Sequence, residues 1–318
     1  MSFSSKTKNE LSRLEIENYC CAIAEISALI RMSGTIQFNG MGNISLKFVT
    51  ENAAIARRIF LILKKIYDMK IEVMVRRNKQ LKKNNSYLMI VDDSEDAKKI
   101  LTETEVFNED EPFKFNTEVP QNLVNNRCCK RAYIRGAFLG GGSISDPEKT
   151  YHLEFVNHSE EHSKGLCDII NSFGLNAKIV LRKDNYIVYL KEGEQIVDIL
   201  NIIGAHNALL KLEDIRVLKD VRNNINRIVN CETANLSKTI NASIRQINNI
   251  EYIDKHIGIN NLPENLIEIA KLRLDHREAS LKELGKMLNP PIGKSGVNHR
   301  LRKLEEIAED LKMKRGEV

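Results

Sequence analysis

The chain predicts an α+β protein in which an αββαββα unit is present twice and is followed by an all-α region. Three observations carry this expectation. Residues 20–36, CCAIAEISALIRMSGTI, return as residues 128–144, CCKRAYIRGAFLGGGSI, with Cys20/Cys128, Cys21/Cys129, Ala24/Ala132, Gly34/Gly142 and Ile36/Ile144 identical at one constant offset. Each copy is followed by alternating apolar and polar residues, GNISLKFV at 42–49 and TYHLEFV at 150–156, the period-two pattern of a half-buried strand. Beyond Leu210 such patterns stop, and apolar residues recur only at helical intervals.

The remaining elements follow in order. After the first strand pattern, Ile55, Ile59, Ile62, Leu63 and Ile66 predict a helix over 53–67; in the second copy Leu166, Ile169, Ile170 and Phe173 predict one over 163–173. Strands are expected over 70–76 and 87–92, then over 177–182 and 186–190, with closing helices near 94–101 and 194–203. The two repeats thus occupy residues 11–103 and 120–210 within a first domain of 1–210. Small residues four apart, Ala24/Ala28 and Ala132/Gly136 with Gly140, allow the two repeated helices to approach closely.

Composition narrows the classes of function. No apolar run approaches the length of a membrane span, and MSFSSKTKNELSR has no apolar signal core, so the expectation is a cytoplasmic protein without a membrane partner. The six cysteines lack C-x-x-C spacing and nearby histidines, which argues against a disulfide framework or a zinc site; no metal and no cofactor are expected. A net charge of +5 permits nucleic-acid binding without requiring it.

The segment ISALIRMSG, residues 26–34, lies without gaps against the LAGLIDADG motif, and IRGAFLGGG, residues 134–142, fits the same frame. The first domain therefore resembles a single-chain LAGLIDADG homing endonuclease. In that family the penultimate motif position supplies an acid that holds a divalent metal; here the positions are Ser33 and Gly141, and neither is a charged oxygen ligand. No catalytic residue is expected. Glu25, Asp146 and Glu148 are nearby carboxylates, but only a shifted register brings two of them to one metal.

The run RAYIRGAFLGGGSISDPEK, residues 131–149, and YHLEF, residues 151–155, resemble the WhiA family of bacterial regulators, which combine a degenerate LAGLIDADG domain with a C-terminal helix-turn-helix. That resemblance implies a non-catalytic protein that binds double-stranded DNA and regulates transcription, with roles in cell division, chromosome segregation and, in some lineages, sporulation. In LAGLIDADG proteins saddle-shaped sheets lie on the DNA. Arg76, Arg77, Lys79, Lys82 and Lys83 form a run without acids at one hairpin, and Arg182 and Lys183 occupy the matching hairpin beside Asp184, so a lopsided footprint is expected. A solvated loop kept soluble by its charges is the plainer reading of such a run.

The C-terminal part is expected as a helical linker over 211–257, made of two helices at 214–228 and 233–253, and a helix-turn-helix domain over 258–318. Its three helices are expected at 264–275, 281–288 and 295–312, with Ser280 and Glu283 as a capping box and NPPIG as the turn. The last helix carries Val297, Leu301, Leu304, Ile307, Ala308 and Leu311 on one face, with Lys294, Ser295, Asn298, His299, Arg302 and Lys303 on the other. Four basic residues and no acid lie between Ile292 and Leu304, which suits a helix entering the major groove. Asn298 and Arg302 are the expected base readers, Ser295 and the helix start a phosphate site, and Lys294 and Lys303 backbone contacts. A monomer is favoured, because the duplication already supplies the pseudo-symmetry of a dimer. Other regulatory proteins stay open as partners, and a metal-dependent endonuclease and a protein-interaction scaffold stand as the alternative functions.

Overall fold

The computed structural model describes residues 1–16, 18–39, 43–77, 85–107 and 115–316, and divides into a unit ending at Lys219 and a second beginning at Asp220. In the first unit a short helix α1 (Phe3–Leu11) precedes α2 (Tyr19–Ser33), β1 (Gly34–Asn39), β2 (Asn43–Thr50), α3 (Ala53–Tyr67), β3 (Glu72–Arg77), β4 (Asn85–Val91) and α4 (Ser94–Glu103). The order then repeats as α5 (Arg127–Gly141), β5 (Gly142–Ile144), β6 (Leu153–Asn157), α6 (Glu160–Asn171), β7 (Lys178–Arg182), β8 (Asn185–Leu190) and α7 (Gly193–Ile203). Each αββαββα repeat forms one antiparallel sheet, ordered β1-β2-β4-β3 and β5-β6-β8-β7.

Local chemistry starts these helices where they begin. The Asn52, Asp93 and Ser159 side chains accept hydrogen bonds from the first-turn N–H groups of α3, α4 and α6. Period-two burial then fixes each sheet: Ile44, Leu46 and Phe48 of β2, like Leu153 and Phe155 of β6, are buried against the helices. Burying each such side chain is worth about 1.5–3 kcal/mol. Phe138 of α5 meets Phe155 edge-on, with centroids 6.1 Å apart.

The motif helices α2 and α5 pack directly on each other. A Cβ on Gly136 would lie 2.3 Å from the Glu25 carbonyl oxygen, so only glycine permits the observed approach. Helix α1 lies outside the expected elements. Its signal is Phe3, Thr7 and Leu11 at intervals of four, all buried, with Ser2 capping the first turn through Ser5 N–H.

The expected pair of linker helices is corrected to one helix, α8 (His206–Ile257). Residues 206–257 contain neither glycine nor proline to break it, and Gly204 and Gly258, both at positive φ, bracket it. Ala208 and Leu212 bury its first turns in the first unit, whereas Ile250 and Ile253 belong to the core of the second. That second core is completed by α9 (Glu264–Asp275), α10 (Leu281–Met287) and α11 (Lys294–Arg315). The capping box is present: Ser280 N–H donates to Glu283 Oε2 at 2.8 Å, and Glu283 N–H to Ser280 Oγ at 3.3 Å. No helix among the described residues is long and apolar enough to cross a membrane.

Candidate nucleic-acid interface

At the C-terminal ends of the paired helices, where the metal-binding acids of the LAGLIDADG motif are expected, Ser33 Oγ donates to the Leu29 carbonyl within its own helix. A Cβ at Gly141 would come within 2.4 Å of Met32 Cε and 2.8 Å of the Val156 carbonyl oxygen, so α5 leaves no room there for an acidic side chain. Glu25 is no substitute. It is buried, and its carboxylate accepts from Arg58 Nε and Nη2 at 2.8 and 2.9 Å and from Arg135 Nε at 2.8 Å. Burial alone would raise its pKa, but the Arg135 and Arg58 guanidinium groups together hold it below the ordinary carboxylate range. Asp146 and Glu148 are exposed, and the Asp146 side chain caps its own turn through Glu148 N–H.

Two further networks lock this end, neither anticipated from sequence. Arg31 donates to the Glu118, Thr104 and Glu105 carbonyls, fastening the end of α4 and the inter-repeat connection to α2. His162 is buried between Tyr133 Oη at 2.8 Å and Asn157 Nδ2 at 2.6 Å. The Asn157 Oδ1 accepts from Ser159 N–H, which turns its Nδ2 donor toward His162 Nδ1. The ring is therefore neutral, with its proton on Nε2, and burial followed by the nearby Arg31 charge lowers its pKa to about 3.

The outward sheet faces are set by register. Thr35, Lys47, Ile90 and Glu72 align across the first sheet, and alternation along β3 adds Arg76 to that face. Arg77 belongs to the opposite face. The run expected to act as one cationic patch is thus divided, and Lys79, Lys82 and Lys83 lie outside the described residues. Across the second sheet Ser143, Glu154, Tyr189 and Lys178 align, with Arg182 on the same face. Lys183 occupies the exposed turn that follows, at φ 56°. Among the described strand residues each outward face therefore carries two cations and one acid, so the expected imbalance between the sheets rests on the three lysines outside the description. Lys47 and Lys178 were not singled out from sequence, although strand alternation placed them outward.

In the second unit α11 separates its faces cleanly. Val297, Leu301, Leu304 and Ala308 are buried, whereas Lys294, Ser295, Asn298, His299, Arg302 and Lys303 are all exposed. Arg300 turns back to the Asn265 carbonyl and Glu268. No side chain caps the first turn of α11, whose N-cap is Gly293, so its leading N–H groups face outward with the positive end of the helix dipole. The position of α11 on α10 is fixed by Ile292 N–H donating to the Gly285 carbonyl at 2.9 Å. Ahead of α10, the buried Arg273 donates to the Ala279 carbonyl at 2.7 Å and holds the preceding turn.

Four of the cysteines, whose sequence spacing argues against a zinc site, meet in space. Because the motif helices pair, Cys20, Cys21, Cys128 and Cys129 bring their sulfur atoms within 4.8 Å of one another. Sequence spacing could not show this, since the two pairs come from different repeats.

Comparison with known proteins matches this architecture piece by piece. Residues 19–107 match the WhiA N-terminal LAGLIDADG-like domain, 130–222 the WhiA LAGLIDADG-like domain and 225–308 the WhiA C-terminal HTH domain. The chain is 63% identical to the probable cell division protein WhiA of Alkaliphilus metalliredigens, over 97% of this chain and 98% of that one. It is 58% identical to the protein of the same description from Thermoanaerobacter sp., over 99% of each. The crystal structure of full-length DUF199/WhiA from Thermatoga maritima superposes with a TM-score of 0.60 at 27% identity, covering 98% of this chain and 99% of that one. With its duplicated domain lacking both motif acids and its C-terminal helix-turn-helix, the chain belongs to the WhiA family.

Proposed function

We propose that the chain is a non-catalytic regulator that binds double-stranded DNA in the cytoplasm and acts in cell division, the process named for its relatives. The observation that carries this reading is the exposed leading face of α11, where Lys294, Ser295, Asn298, His299, Arg302 and Lys303 stand together without an acid. Asn298 and Arg302 are one turn apart and suit bidentate contacts to base edges; Lys294, Lys303 and the uncapped helix start suit phosphates. Lys47, Arg76, Lys178 and Arg182 on the outward sheet faces, with Lys183 beside them, supply a second, sequence-independent contact. The non-catalytic reading is supported by Ser33 and Gly141 at the motif acid positions and by the engagement of Glu25 with two arginines.

Genome-wide mapping of bound sites tests the reading. Asn298→Ala with Arg302→Ala is expected to abolish or relax the sequence preference while leaving the fold intact; unchanged occupancy would exclude α11 as the reader. Magnesium-dependent strand cleavage by the purified chain would exclude a non-catalytic role.

A further inference from the structure

Cys20 and Cys21 stand in the first turn of α2, and Cys128 and Cys129 take the same places in α5. Their four sulfur atoms lie within 4.8 Å of one another, and those of Cys128 and Cys129 are 3.9 Å apart. We propose that these four thiols form a mononuclear binding site for Zn²⁺ or a similar thiophilic divalent cation, joining the two repeats at the end of the helix pair opposite Ser33 and Gly141.

Size supports this assignment. Zinc–thiolate bonds of about 2.3 Å place tetrahedral ligands about 3.8 Å apart. The cluster reaches that spacing through sulfur movements of about 1 Å or less, within the reach of side-chain rotation. An iron–sulfur cluster is disfavoured, because its irons and bridging sulfides would force the four cysteine sulfurs farther apart. Successive residues on a helix point about 100° apart, so each vicinal pair offers its two ligands from different directions.

Charge supports it as well. Asn18 and Asn126 precede the two helices without making side-chain caps, and neither first turn contains an acid. Two positive helix ends therefore converge on the cluster and offset part of the burial that pushes the Cys21 and Cys129 thiols up. Four thiolates around Zn²⁺ carry a net charge of −2, and the cavity of about 300 Å³ that Cys21 and Cys128 line sets Arg58, Arg131 and Arg135 against Glu15 and Glu25, one positive charge in excess. Cys20 and Cys128 are exposed and give the ion a route in, while the buried Cys129 closes the far side. Binding replaces each thiol proton with a metal bond, so affinity rises with pH.

The experiment is a titration of the reduced, metal-free full chain with Co²⁺ under anaerobic conditions. One Co²⁺ per chain is expected, with thiolate charge-transfer bands and the intense visible bands of tetrahedral coordination, displaced by equimolar Zn²⁺. Zn²⁺ is expected to raise the midpoint of thermal unfolding. The double variant Cys20→Ser/Cys128→Ser changes two exposed positions, and is expected to unfold cooperatively yet lose both effects; Cys231→Ser, outside the cluster, is expected to keep them. Three outcomes overturn the site: absence of the tetrahedral bands in the reduced chain, their persistence in the double variant, or a cluster that only forms disulfides and takes no cobalt after reduction.

Discussion

Arg135 Nε donates to Glu25 Oε2 at 2.8 Å across the packed faces of α5 and α2, tying the second repeat to the first through one buried carboxylate that also binds Arg58. This middle stretch of the helix pair is a structural charge cluster. Three guanidinium N–H donors converge on its two oxygens, one on Oε1 and two on Oε2, so the carboxylate holds α2, α3 and α5 together.

Removing that carboxylate strands a charge. Arg58 is 3% exposed at its side chain, so Glu25→Ala is expected to cost about 3–5 kcal/mol, read as a lowered urea midpoint. Because the folded pKa of Glu25 lies below its ordinary 4.5, its contribution is complete above that pH and is lost as the pH falls through the folded value. Glu25→Gln should accordingly flatten the acid limb of stability below about pH 4.5. An acid limb identical to the parent's would show that the pair contributes nothing.

His162 acts over a different range. Its pKa falls from 6.5 to about 3 on folding, so its contribution is fully present above pH 6.5 and is lost as the pH falls toward 3, where the unfolded chain binds a proton that the folded chain refuses. Between pH 7 and pH 5 this amounts to a loss of about 2 kcal/mol, measured by urea unfolding at the two pH values. His162→Gln should show little of that loss. A parental difference retained by the variant would assign it to other groups.

Gly136→Ala sets two effects against each other. Helix propensity favours alanine by about 1 kcal/mol. The new Cβ, however, would stand 2.3 Å from the Glu25 carbonyl oxygen and 3.0 Å from Ala28 Cβ, and backbone cannot rotate aside. Overpacking of this kind costs about 1–3 kcal/mol or more, so a net loss of stability is expected by thermal or urea unfolding. A stabilised variant would mean that the helix pair can separate freely.

Lys303→Ala and Asn298→Ala should differ in kind. Loss of Lys303 is expected to weaken binding to all duplex sequences alike and to reduce the salt slope by about 1, measured by fluorescence anisotropy across salt concentrations. Loss of Asn298 is expected to cost about 1–3 kcal/mol only on preferred sites. Equal losses on random and preferred duplexes for both variants would remove base reading from Asn298.

Much of the fold was legible in the sequence because it rests on local rules. Apolar spacing in α9 and α11 and alternation in β2 and β6 depend on helical and strand periodicity alone, and the Ser280/Glu283 box on contacts within one turn. The linker runs as one helix rather than two, because residues 229–232 between the expected helices hold neither glycine nor proline and the backbone continues through them. Helix α1 has too weak a periodic signal to be read locally, since its two apolar residues, Phe3 and Leu11, gain meaning only when a core exists to receive them.

The sequence by itself determined the duplicated order of elements, the vacant acid positions Ser33 and Gly141, and the two-faced α11. Only the tertiary structure decided which distant side chains meet. Glu25 and Arg135 leave no periodic trace in the chain, and the repeat that aligns Cys20 with Cys128 does not by itself bring them together; both meetings depend on two backbones packing at the distance that Gly136 permits. Arg76 and Arg77 are the opposite case: adjacent in sequence, they are sent to opposite faces by the pleat of β3, a local rule.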